Sequence, residues 1–368
     1  MSRHYIGLIS GTSMDAIDAV VASFEDGCRI HATHSHPMKG ATLERLRYLV
    51  EHPSEAGLGR VGALDTALGH EFAAAALGVL ETGGVAPDDV HAIGSHGQTV
   101  FHSPSGPLPF SLQLGDPNVI AVVTGIQTVA DFRRRDIALG GEGAPLVPAF
   151  HQAVFSDDAE PRVVLNIGGI ANVTVLRPGA PVAGFDTGPG NALMDAWSRL
   201  NRGQPYDEGG EWAASAEVDE ELLDALMEHP FFARPWPKST GIEDFNMAWL
   251  QGVLDDLRQP REPAAIQATL CALSARTAAD AIRRACPDPG TLFVCGGGAH
   301  NLTLTRQIDE CLGGWRLAPT DALGIGIDWV EAAAFAWLAH RNLAGLPGNI
   351  PAVTGASREA VLGSVFLG

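Results

Sequence analysis

Two stretches of the chain share one hydrophobic pattern, in which an apolar run leads into a short turn of small residues and then into a second apolar run. The first stretch has apolar residues at 5–9 and 16–22, on either side of a turn at residues 10–13. The second, from 162 to 176, turns at Gly168 and Gly169. Each pattern predicts a β-hairpin, and two such units about 160 residues apart indicate an internal duplication.

The rest of the chain alternates short apolar runs with longer segments of helical periodicity. Strands are predicted at 29–36, 90–93, 128–130, 182–185, 292–295 and 315–318, and helices at 43–52, 63–80, 146–155, 192–200, 264–285, 302–312 and 328–341. This alternation is typical of an α/β protein. The residues after 341 contain prolines and scattered glycines, and we predict a loop or a loosely held tail there.

The turn of the first hairpin has the composition of an anion-binding loop. Small residues at positions 10–13 let backbone amides and hydroxyl groups approach an anion closely. Asp15 and Asp18 follow on the returning strand, where a carboxylate beside phosphate oxygens is favourable chiefly with a divalent cation between them. We therefore predict a nucleotide phosphate site. An ordinary hairpin turn stays the alternative, because the segment is neither a Walker A loop nor a dinucleotide fingerprint.

Polar side chains follow two of the predicted strands, at the edge where ligands of open α/β sheets collect. His96 and Gln98 come after the strand at 90–93, and they either bind a substrate or satisfy the backbone of a turn. The segment 131–145 contains three consecutive arginines and then a glycine-rich loop. Charge followed by glycine at a strand end favours a functional site over a solvated surface.

Asp186 follows the strand at 182–185 and has glycines close behind it. A carboxylate in this position can act as a base toward a hydroxyl group or a water molecule, and its alternative role is that of a helix cap. Asn191 is better placed to cap the helix at 192–200. Catalysis is therefore the favoured role of Asp186.

Three consecutive glycines, residues 296–298, stand between a predicted strand and a predicted helix. Close packing alone would require one glycine, so three favour a ligand. Without side chains, the backbone can lie directly against a flat ring or a phosphate group.

Charge and cysteine content restrict the compartment and the partners. The 368 residues are enough for about two domains. With 24 basic and 43 acidic residues the net charge is -19, which disfavours nucleic acid and anionic lipid surfaces as partners. The five cysteines form no Cys-x-x-Cys pair and are expected to be reduced thiols of a cytoplasmic protein. Neither a signal peptide nor a membrane span is recognisable in the sequence.

In their order, these features resemble the actin-like ATPase and sugar-kinase superfamily, and within it the anhydro-N-acetylmuramic acid kinase family. Six segments spread over nearly the whole chain carry the resemblance: 7–18 (GLISGTSMDAID), 94–99 (GSHGQT), 130–136 (ADFRRRD), 143–148 (GAPLVP), 166–169 (NIGG) and 184–191 (GFDTGPGN). Ala16 and Ala332 depart from the family pattern, in which glycine is usual at both positions. Both are small changes.

The resemblance implies an α/β fold of two ribonuclease-H-like domains that face each other across an active-site cleft. We expect the limits 1–140 and 141–368, with the last helix returning to the first lobe as the alternative. The implied reaction consumes 1,6-anhydro-N-acetylmuramic acid, ATP and water, and gives N-acetylmuramic acid 6-phosphate and ADP in peptidoglycan recycling. Mg²⁺ is the implied cation. The oligomeric state stays open, with a homodimer as one option.

The expected site residues follow from the strand ends and from the resemblance together. Asp186 is expected to take the proton of the attacking water. Arg134, or a neighbour in the same basic run, is the candidate for the lactyl carboxylate, because arginine binds a carboxylate through two hydrogen bonds. His96, Asp131 and Glu331 are further candidates for sugar contacts, and Asp15 is the candidate Mg²⁺ ligand through water. The expected ATP-binding residues are Gly11, Thr12, Ser13, Met14, Asp15, Ala16, Ile17, Asp18, Gly168, Gly169, Gly296, Gly297, Gly298 and Asn301.

Three other functions stay open from the sequence. Another small-molecule kinase of the same fold would phosphorylate an intact hydroxyl group, with Asp186 as the base toward the substrate itself. An actin-like assembly protein would use ATP only to switch conformation. A glycoside hydrolase would need two facing carboxylates and no ATP.

Overall fold

The computed structural model describes residues 3–11, 14–38 and 40–368, and within them it has strands and helices in alternation. The strands are β1 (His4–Ser10), β2 (Ala16–Ser23), β3 (Arg29–Pro37), β4 (Val90–Ser95), β5 (Gln98–Ser103), β6 (Phe110–Leu114), β7 (Thr128–Ala130), β8 (Arg162–Ile167), β9 (Ile170–Leu176), β10 (Ala183–Pro189), β11 (Thr291–Cys295), β12 (Arg316–Pro319) and β13 (Ser364–Phe366). The helices are α1 (Gly40–Glu51), α2 (Leu58–Gly83), α3 (Pro117–Thr124), α4 (Phe132–Ala138), α5 (Val147–Phe155), α6 (Ala192–Arg202), α7 (Glu211–Ala214), α8 (Glu220–Met227), α9 (Pro230–Ala233), α10 (Met247–Leu257), α11 (Pro263–Ala285), α12 (Leu302–Leu312), α13 (Val330–Leu343) and α14 (Pro351–Thr354). None of the helices in the described ranges combines the length and apolar character that crossing a bilayer requires.

By its internal contacts the chain divides into two compact units. The first comprises Met1–Val154 together with Trp329–Gly368, and the second comprises Phe155–Asp328. The end of the chain belongs to the first unit because α13 packs on β1 and β4, and β13 pairs with β7. The first unit thus extends past the predicted limit at residue 140.

The first unit is built on a mixed sheet with the strand order β13-β7-β4-β1-β2-β3. β1, β2 and β3 are antiparallel neighbours, and the predicted hairpin is confirmed by the pairing of Ser10 with Ile17. β4 runs parallel to β1, and β7 runs parallel to β4. The central strands are almost entirely buried, which explains why they are continuous apolar runs instead of alternating ones.

The two faces of β1 are covered by different helices. Ile6 and Leu8 belong to the apolar cluster that includes Phe72 of α2. On the other face, a Cβ added to Gly7 would overlap the backbone carbonyl of Ala332 in α13. Gly94, the neighbour of Gly7 on β4, lies equally close to α13. The helix therefore rests on backbone, which only glycine at both positions allows.

The second unit repeats the arrangement of the first. Its sheet has the strand order β10-β9-β8-β11-β12, with β8, β9 and β10 antiparallel and with β11 and β12 parallel to β8. Its core contains α11 and the apolar side chains of β8, β9 and β11. Without its added edge strand β13, the sheet of the first unit has this same order and orientation, with β7, β4, β1, β2 and β3 in the places of β12, β11, β8, β9 and β10. The internal duplication and the predicted α/β, ribonuclease-H-like fold class are confirmed.

The stretch after the last long helix is mostly loop, as one of our two predictions had it, but the alternative of a loosely held tail was wrong. Asn349 and Thr354 are buried, and their side chains donate hydrogen bonds of 2.7 Å and 2.8 Å to Oδ1 of Asp136. Leu362 is buried as well, and β13 follows it. The tail has few apolar residues in a regular period, so its order comes from long-range polar contacts that a local pattern does not reveal.

A ribbon of two strands and a short helix were also missed. β5 and β6 form a separate two-stranded ribbon directly after the segment that contains His96. The three arginines at 133–135 lie on the short helix α4, which begins after Asp131, and are not on the end of the strand. Their side chains therefore point in different directions, so that Arg133 is half-buried and the other two are exposed.

Candidate active-site residues of the two units

The turn of the first hairpin has a strained backbone. The carbonyl oxygen of Gly11 accepts a hydrogen bond of 3.2 Å from the amide of Met14. Met14 has a φ of +58°, and Asp131, at another predicted site, has a φ of +60°. Such values are uncommon for residues other than glycine, and they concentrate at functional sites. The predicted phosphate ligands Thr12 and Ser13 lie outside the described residues.

The carboxylates after this turn differ in their surroundings. Asp15 is exposed, and its Oδ1 lies 3.4 Å from Nη2 of Arg47. Oδ1 of Asp18 accepts a hydrogen bond of 2.9 Å from Ser35. Ala16 opens β2, and Ile17 is fully buried in the core, so its side chain is not available to a ligand.

These carboxylates fit a Mg²⁺ ion that is bound mostly by water and phosphate. Mg²⁺ in phosphoryl-transfer sites keeps several waters and takes one or two protein carboxylates, together with phosphate oxygens. Asp15 offers an exposed carboxylate of this kind, and its contact with Arg47 is long enough to be exchanged at little cost. Among the described residues, no cluster of three or more ligating side chains is present.

Buried polar atoms collect at the carboxyl ends of β1 and β4. Oγ of Ser10, Oγ of Ser95 and Oε1 of Gln98 are inaccessible, and within the described ranges they have no hydrogen-bond partner. Ser10 ends β1, Ser95 ends the neighbouring strand β4, and Gln98 begins β5. Buried polar groups are almost always satisfied in native proteins. The cluster is therefore a candidate for groups that a bound ligand completes.

Arg133 is the member of the basic run that lies beside this cluster. Its Nε and Nη2 donate hydrogen bonds of 3.0 Å and 2.8 Å to Nε2 of His96, and its Nη1 donates one of 2.8 Å to the carbonyl of Gly143. Arg134 instead is exposed and paired with Asp131 by contacts of 2.7 Å and 2.6 Å. Two predicted substrate ligands thus bind each other, and the arginine next to His96 is Arg133.

Burial shifts the pKa values of Arg133 and of two residues that interact with it, His96 and Glu331. Desolvation, reinforced by Arg133, holds the pKa of His96 well below its ordinary value, so His96 is neutral and its Nε2 accepts. Burial lowers the pKa of Arg133 to about 10, which leaves it charged at neutral pH. Burial also raises the pKa of Glu331, although Arg133 opposes that shift. Arg133 and two predicted substrate ligands, His96 and Glu331, therefore interact electrostatically within the first unit.

Asp136 connects Arg133 to the end of the chain. Its carboxylate is fully buried, and besides the bonds to Asn349 and Thr354 its Oδ2 accepts a hydrogen bond of 2.8 Å from the amide of Gly143. The carbonyl of the same Gly143 accepts from Arg133. The loop that follows α4 is thereby held by a satisfied buried network, which fixes the position of the arginine.

In the second unit, the glycine turn between β8 and β9 is held by the start of α6. The carbonyl of Gly168 accepts a hydrogen bond of 2.9 Å from the amide of Asn191, and that of Gly169 accepts one of 2.9 Å from the amide of Gly190. A Cβ added to Gly190 would overlap the carbonyl of Gly168. The turn and the segment after β10 are therefore one rigid piece, at the place where the resemblance implies a phosphate loop.

Asp186 lies on β10, at the edge of the sheet, next to an irregularity in the pairing with β9. Its Oδ2 accepts hydrogen bonds of 2.9 Å from the amide of Thr240 and 3.1 Å from the hydroxyl of Ser239. Its own amide donates one of 3.1 Å to the carbonyl of Lys238. Asp186 is thus not a helix cap, and it is held by the loop at residues 238–240, which the sequence patterns did not mark as part of a site.

The three glycines near residue 297 have two different explanations. Cβ atoms added to Gly296 and Gly298 would overlap Asn166 and Ile167 of β8, so close packing requires both glycines. Gly297 meets no such obstacle. Packing thus accounts for more of this motif than we expected. The ATP-binding role of the three glycines stays a prediction.

Asn301 has a structural role in this segment. Its Oδ1 accepts a hydrogen bond of 2.9 Å from the amide of Leu304, so it is the N-cap of α12. Gly210 is packed against the same side-chain oxygen, and its carbonyl accepts from Thr303. The turn at residues 207–212 therefore contacts the predicted nucleotide loop. In the sequence, two consecutive glycines flanked by acidic residues could have predicted this turn.

Comparison with known proteins identifies the family. The model of the anhydro-N-acetylmuramic acid kinase family matches residues 3–368. An anhydro-N-acetylmuramic acid kinase from Coxiella burnetii (strain Dugway 5J108-111) is 48% identical over 368 residues, with 100% of this chain and 98% of that protein covered. One from Shewanella sediminis (strain HAW-EB3) is 51% identical over 369 residues, with 99% of each covered.

Among solved structures, component A of the (R)-2-hydroxyglutaryl-CoA dehydratase of Acidaminococcus fermentans is 12% identical, with 93% of this chain and 100% of that chain covered and a TM-score of 0.48. This likeness carries no argument about function. The full-length match to the family and the identity of about half of all residues do carry one. The chain belongs to the anhydro-N-acetylmuramic acid kinase family and is an enzyme of the phosphotransferase class.

Proposed function

We propose that the chain is an ATP-dependent kinase that opens the 1,6-anhydro bridge of anhydro-N-acetylmuramic acid with water and transfers the γ-phosphoryl group of ATP to O6. The products are N-acetylmuramic acid 6-phosphate and ADP. Membership in the family supports the substrate, because relatives of this name match the chain from end to end. The reaction belongs to the recycling of peptidoglycan in this proposal.

The observation that carries the sugar site is the set of unsatisfied polar atoms at the ends of β1 and β4. Ser10, Ser95 and Gln98 present buried oxygens without partners among the described residues, beside the charged Arg133. A sugar rich in hydroxyl groups and bearing a carboxylate would supply the missing hydrogen bonds and the counter-charge. Burying these oxygens without hydrogen-bond partners would cost folding free energy in a protein that binds no polar ligand.

Arg133 replaces Arg134 as our candidate for the lactyl carboxylate. The half-buried guanidinium of Arg133 is positioned by three hydrogen bonds, and among the described residues it has no ion pair as close as that of Arg134 with Asp131. His96 accepts from Arg133 and so orients it, and Glu331 offsets part of its charge. Asp131 then serves to hold Arg134 and is no longer our candidate for a sugar contact.

Asp186 is the proposed base. As water attacks the anomeric carbon, Asp186 takes a proton from it, the bond between that carbon and O6 breaks, and O6 forms its new bond to the γ-phosphorus while the bond from phosphorus to the β-phosphate oxygen breaks. A glycosidase would need a second acid to protonate the departing oxygen. Here the phosphoryl group captures that oxygen, so one carboxylate suffices.

The phosphate groups belong to backbone loops in this proposal. The turn from Gly11 to Asp18 and the turn at Gly168 and Gly169 supply small residues and amides, with the rigid contact between Gly168 and Gly190 as support. Asp15 would hold Mg²⁺ through water. When bound, Mg²⁺ neutralises the charge that develops on the transferring phosphoryl oxygens. The glycines at 296–298 are the proposed adenosine contact, with Gly297 the most open of the three.

We place the reaction in the cytoplasm as part of the same proposal. Cys28, Cys271, Cys286 and Cys311 are free thiols, and burial raises the pKa of Cys28 and Cys271 to about 12. Thiols held in this form are typical of proteins in reducing compartments. Burial raises the pKa of Cys286 and Cys311 as well, so all four thiols are poor bases and nucleophiles at neutral pH.

A coupled assay of ADP release tests the proposal. We expect release to depend on anhydro-N-acetylmuramic acid and to be absent with common hexoses. In water labelled with heavy oxygen, mass spectrometry of the product should find the label on the anomeric carbon. A phosphorylated product without label would contradict the proposal and favour a kinase that acts on an intact hydroxyl group.

A further inference from the structure

The loop that follows α9 contacts Asp186 through three successive residues. Lys238 accepts a hydrogen bond from the amide of Asp186, and Ser239 and Thr240 both donate to its Oδ2. In the described part of the chain β10 is the edge strand of its sheet, and the loop contacts this edge. Residues 238–240, which lie more than fifty positions from Asp186 in the sequence, thus form what we call the clasp around its carboxylate.

The clasp is itself anchored at both ends. The ammonium group of Lys238 donates a hydrogen bond of 3.1 Å to the carbonyl of Phe231 and lies 4.2 Å from the centre of the Phe231 ring. At the other end, the hydroxyl of Thr240 donates a hydrogen bond of 2.6 Å to Oδ2 of Asp244. The amide of Thr240 is therefore directed at Asp186 by contacts on either side of it.

From this geometry we infer that Ser239 and Thr240 are positioning residues for the carboxylate of Asp186. The inference rests on the proposed role of Asp186 as the base. Two donors on Oδ2 fix the rotation of the carboxylate group, so the direction of its basic lone pairs is set before the substrate binds. A base must be within hydrogen-bond reach of its proton and correctly aimed, and small misplacements are costly.

The alternative role for this loop is purely structural, and several observations separate the two. Ser239 is exposed, and it bonds to Asp186 through its side chain alone. An exposed hydroxyl group contributes little to the stability of a fold. A structural loop would also have no need to direct both a hydroxyl and an amide at the same carboxylate oxygen.

The experiment compares Ser239→Ala with Ser239→Thr, which keeps the hydroxyl group, and with Ser215→Ala as the matched control. Ser215 is an exposed serine of the same unit whose hydroxyl donates to the carbonyl of Trp212. We expect Ser239→Ala to lower kcat about tenfold, the effect of one hydrogen bond to a charged group, with KM for sugar and for ATP unchanged within about twofold. Ser239→Thr and Ser215→Ala should keep kcat close to that of the wild type.

Thr240→Val provides a second and independent variant, because it removes the bond to Asp244 and keeps the shape of the side chain. We expect a similar loss of kcat at unchanged KM, with a melting temperature near that of the wild type. If both Ser239→Ala and Thr240→Val keep wild-type kcat, or if they change only KM, the positioning role is refuted.

Asp186→Asn separates this outcome from a failure of the proposed function. If Asp186→Asn is inactive while the two loop variants are normal, Asp186 remains the proposed base and the positioning role of Ser239 and Thr240 is refuted. If Asp186→Asn turns over normally, the proposed base is wrong, and the inference about the loop fails with it.

Discussion

The two units have the same strand order, yet they hold their charged candidates in opposite ways. In the first unit, Arg133 sits inside a buried network whose acceptors are His96 and the carbonyl of Gly143. In the second, Asp186 stands at the edge of a sheet and is held by a surface loop. A duplicated scaffold thus fixes where strands end, but each copy has acquired its own means of orienting a side chain.

The difference has consequences for stability and for activity. Changes in the buried network of the first unit leave polar groups without partners, so they cost folding energy as well as function. Changes in the loop of the second unit are made at the surface, so they should alter activity with little effect on folding. The predictions below test this contrast, from the largest expected effect to the smallest.

Asp186→Asn should lower kcat by about 10² to 10⁴, the usual contribution of a general base, with little change in melting temperature. Stopped-flow ADP release gives the rate, and calorimetry gives the binding of nucleotide and sugar. Asp244→Asn is the neighbouring comparison, because Asp244 accepts a hydrogen bond from the hydroxyl of Thr240 and its amide variant keeps an oxygen that can accept it. If Asp186→Asn turns over at a rate near that of the wild type, Asp186 is not the general base.

Gly7→Ala should destabilise the first unit, and Gly190→Ala the second, each by about 3 kcal/mol or more, because the added Cβ overlaps a backbone carbonyl. Hydrogen exchange followed by mass spectrometry would assign each loss to its unit. Gly252→Ala in α10 is the control, since nothing lies near the added Cβ and alanine favours a helix. A stable Gly7→Ala would contradict the packing of α13 on β1.

Acid should weaken the first unit before the second. Burial lowers the pKa of His96 far below its usual value and that of His151 to about 3, so both stay neutral when folded. The unfolded chain binds more protons below about pH 6.5, so the free energy of unfolding falls as the pH drops through that value, by an amount on the order of 2 kcal/mol for the pair between about pH 7 and 5.5. Neither histidine of the second unit, His229 or His300, is buried.

Hydrogen exchange at the two pH values measures this effect unit by unit. His151→Gln should recover roughly half of the acid-dependent loss, because it removes one of the two buried groups. Equal loss of protection in both units on acidification would show that the buried histidines do not decide acid stability.

Arg133→Lys should lower kcat/KM for the sugar about tenfold, because lysine cannot reproduce the three hydrogen bonds to His96 and Gly143. Arg134→Lys is the matched control, and an exposed pair with Asp131 is worth at most about 1 kcal/mol. Steady-state kinetics at varied sugar concentration would compare them. If Arg134→Lys lowers kcat/KM more than Arg133→Lys does, Arg134 is again the candidate ligand of the lactyl carboxylate.

Sequence patterns predicted the scaffold well because its determinants are local. The hairpins of β1–β2 and β8–β9 follow from apolar runs around small residues, and a register such as Ser10 with Ile17 results from the short turn. Glycines required by packing, such as Gly296, were recognised as special, but a sequence does not distinguish a neighbouring strand from a ligand as the reason.

The site was harder to predict because its contacts are remote along the chain. Arg133 and Arg134 are adjacent, and only the direction of α4 shows which of them meets His96. The bonds from Ser239 to Asp186 and from Asn349 to Asp136 join residues that share no local pattern. Pairings of this kind depend on tertiary packing, which single-sequence reasoning does not reach.

The docking of Asn349 and Thr354 on Asp136 has a consequence for how the protein is made. The second unit is one continuous segment, Phe155–Asp328, and it can complete its core as soon as that segment has left the ribosome. The first unit, although its first segment precedes the second unit, lacks α13 and the partners of the buried Asp136 until residues 329–354 have also been made. The segment 1–154 is therefore translated before the second unit but can complete its fold only after it.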